Sequence, residues 1–251
     1  MSRVLVTAGA SGIGLAMARA FETAGHDVWI MDMDVSDLTS EDFTCRASQV
    51  DIARDEQVAK VFQEIKAVWG GLDVVCANAG VAGPTAKVED VTLAEWRGCT
   101  SVTLDGAFLT AKYAAPLMKE HGGSLIFTTS TAGIYGYPNR SPYAAAKWGV
   151  IGLMKTCAME LGPHGIRANA IAPGAVEGPR MEGVLEREAA AKGMTRDAVY
   201  DGYAAGTSMR TFVTADDIAN MVLFLGSDAA RHVSGQVIAV DGHTENPDPK
   251  P

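Results

Sequence analysis

The chain has 251 residues, 47% hydrophobic and 20% charged, which suits one sizeable core and a single α/β domain spanning 1–251. A formal net charge of -9 sets the general field against polyanions, so nucleic acid and an anionic membrane are excluded as partners and a small molecule is favoured. The four cysteines, Cys45, Cys76, Cys99 and Cys157, contain no Cys-x-x-Cys pair, so reduced thiols are expected and neither a disulfide framework nor a metal site.

The N-terminus passes almost at once into a strand, Val4–Val6. Gly9, Gly12 and Gly14 break the apolar stretch that follows, so no signal peptide is read. No later run is long enough to span a bilayer, and a cytoplasmic protein is expected. A glycine-rich turn, Thr7 to Gly14, leads into a helix over Ile13–Ala24, and a second strand over Val28–Met31 ends at Asp32. The connection from Asp32 to Thr44 is short for a full helix and precedes a third strand, Arg46–Val50. Then follow helix Glu56–Val68, strand Val74–Ala77, helix Leu93–Lys119, strand Ser124–Thr128, helix Ala144–Leu161 and strand Arg167–Ile171. Two helical patches, Met181–Ala191 and Arg196–Ala205, fall in a segment over 178–212 that is expected to form a lid. Helix Ala215–Leu225 and strand Gln236–Val240 close the pattern before a proline-rich tail, which reads as a disordered end or as cover for a neighbouring subunit. Thr92 with Glu95 and Thr214 with Asp217 have the spacing of capping boxes. Strands alternating with helices predict βαβ units: a doubly wound, parallel, seven-stranded Rossmann-like sheet with helices on both faces.

The turn Thr7-Ala8-Gly9-Ala10-Ser11-Gly12-Ile13-Gly14 joins strand to helix where glycines let backbone approach a pyrophosphate at a positive helix end. A plain tight turn is the alternative; the strand-turn-helix context favours a dinucleotide. Asp32 can accept hydrogen bonds from both adenosine-ribose hydroxyls and would repel a 2'-phosphate. No Lys or Arg follows at Met33, and Ser11 stands where a cation would serve that phosphate, so NAD is expected in preference to NADP. Further along, Tyr143 and Lys147 are four apart and share one helix face, and Ser130 lies at the end of the fifth strand. A phenol of pKa about 10 is a poor base at neutral pH unless a cation stabilises its anion, and Lys147 can be that cation. In isolation such a pair reads better as helix packing; Ser130 and the glycine turn in register reverse that judgement.

These residues, with Asn78-Ala79-Gly80 and Pro173-Gly174, in this order and spacing over almost the whole chain, resemble the short-chain dehydrogenase/reductases. The resemblance implies Asp51 and Ile52 near the adenine and Asn78, Ala79 and Gly80 beside the cofactor. It also implies Pro173, Gly174 and Val176 around the nicotinamide, and a homotetramer. In such a site Tyr143 takes the alcohol proton, Ser130 hydrogen-bonds the developing carbonyl, and Lys147 holds the nicotinamide ribose.

The chain departs from the family at three places. Ala8 replaces a glycine of the turn, where ordinary backbone angles are expected to be retained. Thr103 stands where the family has a relay Asn, and its hydroxyl or an extra water is expected to take over. Gly178 stands where a Thr contacts the nicotinamide amide. Ser130, Tyr137, Arg180 and Arg210 are the expected substrate contacts, with Tyr135, Asn139, Arg140, Glu177 and Arg187 nearby; a solvated, charge-paired lid is the competing reading of its arginines. The expected function is NAD-dependent hydride transfer between a small secondary alcohol or polyol and its ketone. A 3-oxoacyl-thioester reductase is second, and a nonenzymatic NAD(H)-binding regulatory protein third.

Overall fold

The computed structural model describes residues 1–38 and 44–248; residues 39–43 of the connection after the second strand and 249–251 of the tail lie outside them. Its centre is a seven-stranded parallel sheet in the order β3-β2-β1-β4-β5-β6-β7. The strands are β1 (Arg3–Thr7), β2 (Asp27–Asp32), β3 (Arg46–Gln49), β4 (Val74–Ala77), β5 (Gly123–Thr128), β6 (Ile166–Pro173) and β7 (Val237–Val240). Strand order reverses between β1 and β4, and the crevice at their carboxyl ends is where such sheets take ligands.

Continuous apolar runs make strands buried on both faces, and alternation sorts their side chains. Val4, Val6, Val28, Ile30, Val74, Cys76 and Ile126 pack with Met17 and Phe21 of α1 (Gly12–Thr23) and Ile218, Val222 and Leu225 of α8 (Ala215–Gly226). Leu5, Trp29, Met31, Val75, Leu125 and Phe127 face the other way, onto α2 (Asp55–Trp69), α4 (Gly106–Met118) and α5 (Ser141–Leu161). Both expected capping boxes form.

The helical pattern over Leu93–Lys119 is not one regular helix. It divides into α3 (Leu93–Thr100), a π turn over Ser101–Asp105, and α4. The wide turn carries Thr103 inward to complete burial, where its hydroxyl accepts the Val81 N–H at 3.2 Å, and it sets Gly106 so close to Ile52 that a Cβ would lie 3.0 Å from the Ile52 side chain. Hydrophobic spacing is nearly the same through such a turn, so periodicity does not reveal it.

The segment after β6 forms α6 (Pro179–Lys192) and α7 (Arg196–Ala205), with a small core of Leu185, Ala189, Val199, Tyr203 and Phe212. The described part of the tail is not loose. Thr244 is buried and bridges Thr207, and Asp248 pairs with Lys192 at 2.6 Å, so this stretch packs on the segment that holds α6 and α7.

Candidate active site

The turn after β1 is held from below by side chains. Thr7 Oγ1 accepts the backbone N–H of Asn78 at 2.9 Å and of Ala79 at 3.1 Å, and Asn78 Nδ2 donates to the Thr7 carbonyl at 3.1 Å and the Ala8 carbonyl at 3.3 Å. A Cβ on Gly14 would lie 1.9 Å from the Ala8 carbonyl oxygen, so glycine is obligatory there. Gly9 packs against Ile30, and Gly12 has φ +52 with nothing within 4 Å of its missing Cβ, which leaves open backbone at the helix start. Ala8 adopts φ +50 and not the ordinary angles expected of it, a conformation that costs an L-residue about 1–2 kcal/mol. Asp32 Oδ2 accepts the Ala10 N–H at 2.9 Å, which fixes the carboxylate beside the turn.

At the other end, β5 and α5 are clasped together. Lys147, 2% exposed, donates from Nζ to the Thr128 carbonyl at 2.7 Å, and Thr129 Oγ1 donates to the Lys147 carbonyl at 2.8 Å. A Cβ on Gly133 would lie 2.3 Å from Thr129 Oγ1, so the short turn over Thr131–Gly133 presses against α5 and brings Ser130 to Tyr143. Ser130 Oγ accepts the Ala132 N–H at 3.1 Å, which leaves its own proton free to donate.

Burial pushes the half-buried Tyr143 phenol up, but Lys147, Arg180, a hydrogen bond with Ser130, and Arg140 outweigh it and hold the group below its ordinary value. Burial lowers the Lys147 ammonium, against the opposing pull of Tyr143. Tyr137 shares a 3.2 Å hydrogen bond with Thr131, and burial pushes its phenol up to about 12.

One cleft of about 390 Å³ joins the two ends. It is lined by Ser11, Gly12, Ile13, Gly14, Asp32, Asn78 and Gly80 at the turn, and by Ser130, Tyr137, Tyr143, Lys147, Pro173, Gly174, Val176 and Arg180 toward α6. Gly9, Asp51, Ile52, Ala79, Thr103 and Arg210, also read as site residues, do not line it. Gly9 and Ala79 lie just beneath the turn, as described, and Ile52 is buried against Gly106. Asp51 accepts the Ala53 N–H at 3.0 Å and faces Arg54 at 3.7 Å. Arg210 is exposed and donates to the Ala205 carbonyl. Gly178 has φ +135, a region that excludes the family's Thr without strain. Sequence reasoning missed the burial of Arg140, because an arginine just before a helix ordinarily reads as solvated. Among the described residues no helix is long and apolar enough to cross a membrane.

Open backbone at a helix start, a carboxylate fixed one strand away, and a cleft running on to a Ser, Tyr and Lys cluster form the frame of a dinucleotide-dependent oxidoreductase. Residues 7–243 match the family model described as Enoyl-(Acyl carrier protein) reductase. The chain is 31% identical over 249 residues to a D-beta-hydroxybutyrate dehydrogenase of Rhizobium meliloti (strain 1021), covering 95% of this chain and 96% of that protein. It is 41% identical over 174 residues to a trans-4-hydroxycyclohexanecarboxylate dehydrogenase of Sinomonas cyclohexanicum, a match spanning 69% of this chain and 61% of that protein. Among solved structures, levodione reductase superposes with TM-score 0.90 at 32% identity over 96% of each chain. NAD+-bound xylitol dehydrogenase superposes with TM-score 0.92 at 26% identity, over 96% of this chain and 98% of that one. The chain belongs to the short-chain dehydrogenase/reductases, oxidoreductases that use a nicotinamide cofactor and act on alcohols and their carbonyl partners.

Proposed function

We propose that this protein is an NAD-dependent dehydrogenase of a small secondary alcohol or polyol, with Tyr143 as the acid/base. The observation that carries the reading is one cleft lined by the glycine turn and Asp32 and by Ser130, Tyr143 and Lys147, where the cations and Ser130 hold the half-buried Tyr143 phenol below its ordinary pKa. When bound, the nicotinamide supplies the hydride acceptor or donor. In the oxidation direction the Tyr143 phenolate takes the alcohol proton, and Ser130 donates a hydrogen bond to the oxygen as it becomes a carbonyl. Lys147 keeps the phenolate charged and, in the family's manner, holds the ribose. In reduction the same groups return the proton.

At the dinucleotide end, Gly9 to Gly14 would cradle the pyrophosphate, and Asp32 would take the adenosine ribose, with Asp51 and Ile52 near the adenine. Asn78, Ala79 and Gly80 would line the middle, and Pro173, Gly174 and Val176 the nicotinamide. NAD over NADP is supported by the place of Asp32 and by the charges of the lining: its cations, Arg140, Lys147 and Arg180, all stand at the catalytic end. The same preference separates this reading from a thioester reductase drawing on NADPH. Thr103 is proposed to replace the relay Asn through a water. A Cβ on Gly80 would sit 3.2 Å from Lys147 Nζ and 3.5 Å from Thr103 Oγ1, so the two groups flank one α-carbon.

A homotetrameric, cytoplasmic enzyme completes the proposal, supported by the exposed Phe108, Trp148 and Met159 on α4 and α5; light scattering in solution tests the subunit count. The deciding experiment is turnover of secondary alcohols, polyols and hydroxy acids with NAD+ and with NADP+, run beside Tyr143→Phe. Turnover dependent on Tyr143 with NAD+ preferred is expected. Equal turnover by the Phe variant would overturn the mechanism, and NADH binding without turnover of any substrate would favour the nonenzymatic reading.

A further inference from the structure

In the segment over 178–212, Lys192 and Arg196 are ion-paired, and Arg187 and Arg210 line no part of the cleft. Lys192 is paired with Glu188 at 2.7 Å and Asp248 at 2.6 Å, and Arg196 with Glu182 at 2.6 Å. Arg140 and Arg180 line the cleft, and among the described residues neither forms an ion pair with a carboxylate. Arg140 is only 7% exposed. Its Nη2 donates to the Ala82 carbonyl at 3.3 Å, while its Nε is buried without a partner. Arg180, at the rim, donates from Nη1 to the Gly80 carbonyl at 3.1 Å. The two guanidiniums are therefore tethered to carbonyls two residues apart on one loop, and the Arg140 guanidinium carbon stands 5.0 Å from the centroid of the Tyr143 ring.

The neighbourhood also holds polar atoms that find no partner in the fold. Among the described residues, the buried side-chain polar atoms without a partner are Thr85 Oγ1, Arg140 Nε and Ser141 Oγ. They lie on two segments joined by the Ala86 N–H to Asn139 carbonyl bond at 3.0 Å. A guanidinium does not shed its proton, so a buried one without a counter-charge is costly unless a ligand supplies the charge. Tyr143, once ionised, is one negative charge facing Lys147, Arg140 and Arg180. The lining carboxylate of Glu177 is exposed and accepts the Tyr200 hydroxyl at 3.4 Å.

We propose that Arg140 and Arg180 form an anion subsite beside Tyr143, and that the secondary alcohol oxidised here carries a carboxylate. The inference rests on the dehydrogenase reading and names its substrate class: a hydroxy acid whose hydroxyl meets Tyr143 and Ser130 while its carboxylate meets the two guanidiniums. Tyr137, Met181, Val184 and Tyr203 supply cleft wall for the carbon frame between them.

The test compares 4-hydroxycyclohexanecarboxylate with its uncharged primary amide, in the parent, Arg180→Gln and Arg140→Lys, at a pH above the Tyr143 limb. Binding of cyclohexanecarboxylate and cyclohexanecarboxamide to the NADH-loaded protein is read in parallel by fluorescence. The parent is expected to favour the acid over the amide by about tenfold or more in kcat/KM, and Arg180→Gln to remove most of that preference, as loss of a charge-assisted contact should. Arg140→Lys keeps the charge but loses the planar fork, and is expected to weaken the acid more than the amide. Equal use of acid and amide by the parent, or a preference unchanged in Arg180→Gln, overturns the subsite. Should no alcohol turn over, the dehydrogenase reading falls separately. The binding arm then decides: carboxylate binding lost in Arg180→Gln keeps the anion subsite, and equal binding of acid and amide removes it.

Discussion

The two ends of the cleft are built differently. The proposed dinucleotide end is made almost wholly of consecutive backbone, residues 7–14, with Asp32 one strand away, and each glycine there answers a contact or an angle. The proposed catalytic and substrate end is assembled from distant segments: the loop at 80–82, Ser130, the start of α5, and α6. At the first end shape is local and written in glycines. At the second, function depends on which charges find partners, and that is settled by packing.

Five substitutions would break or sharpen this contrast. The largest effect is expected at the catalytic end: Tyr143→Phe should cut turnover by roughly 10²–10⁴-fold while NADH fluorescence still titrates. Gly14→Ala should damage the other end, because its methyl would meet the Ala8 carbonyl; NADH binding should be lost and the protein destabilised by about 1–3 kcal/mol in a denaturant melt. Asp32→Asn removes the charge that opposes a 2'-phosphate, and should narrow the NAD+ to NADP+ ratio of kcat/KM by about tenfold.

The pH profile reads the electrostatics around Tyr143. If alcohol oxidation uses the Tyr143 phenolate as proposed, kcat/KM is expected to rise with pH through the Tyr143 pKa, which is held below the ordinary phenol value. Arg180 helps to hold it there, so Arg180→Gln should move that rise to higher pH for charged and uncharged substrates alike. An unmoved profile would mean that Arg180 does not act on Tyr143. The smallest effect belongs to the turn: Ala8→Gly relieves a φ of +50 and should stabilise the protein by about 0.5–1 kcal/mol, since the glycine's extra unfolded-state entropy offsets part of the strain removed. No stabilisation would show that the strain is already absorbed.

The sequence by itself determined the parallel α/β class, the strands and helices to within a few residues, the glycine turn, and the Tyr143 to Lys147 pairing. Each is encoded locally: in apolar runs, in a spacing that one helix face shares, or in residues without a Cβ where backbone must come close. The break at Ser101–Asp105 was hidden because a π turn barely disturbs hydrophobic spacing, and the left-handed angle at Ala8 because an alanine does not announce it. Tertiary structure alone decided that Arg210 does not line the cleft, that the described tail packs on the segment holding α6 and α7, and that Arg140 is buried with no carboxylate paired to it among the described residues. Whether a charge is solvated, paired or left facing a cavity depends on what distant segments bring beside it, and no local pattern of residues carries that information.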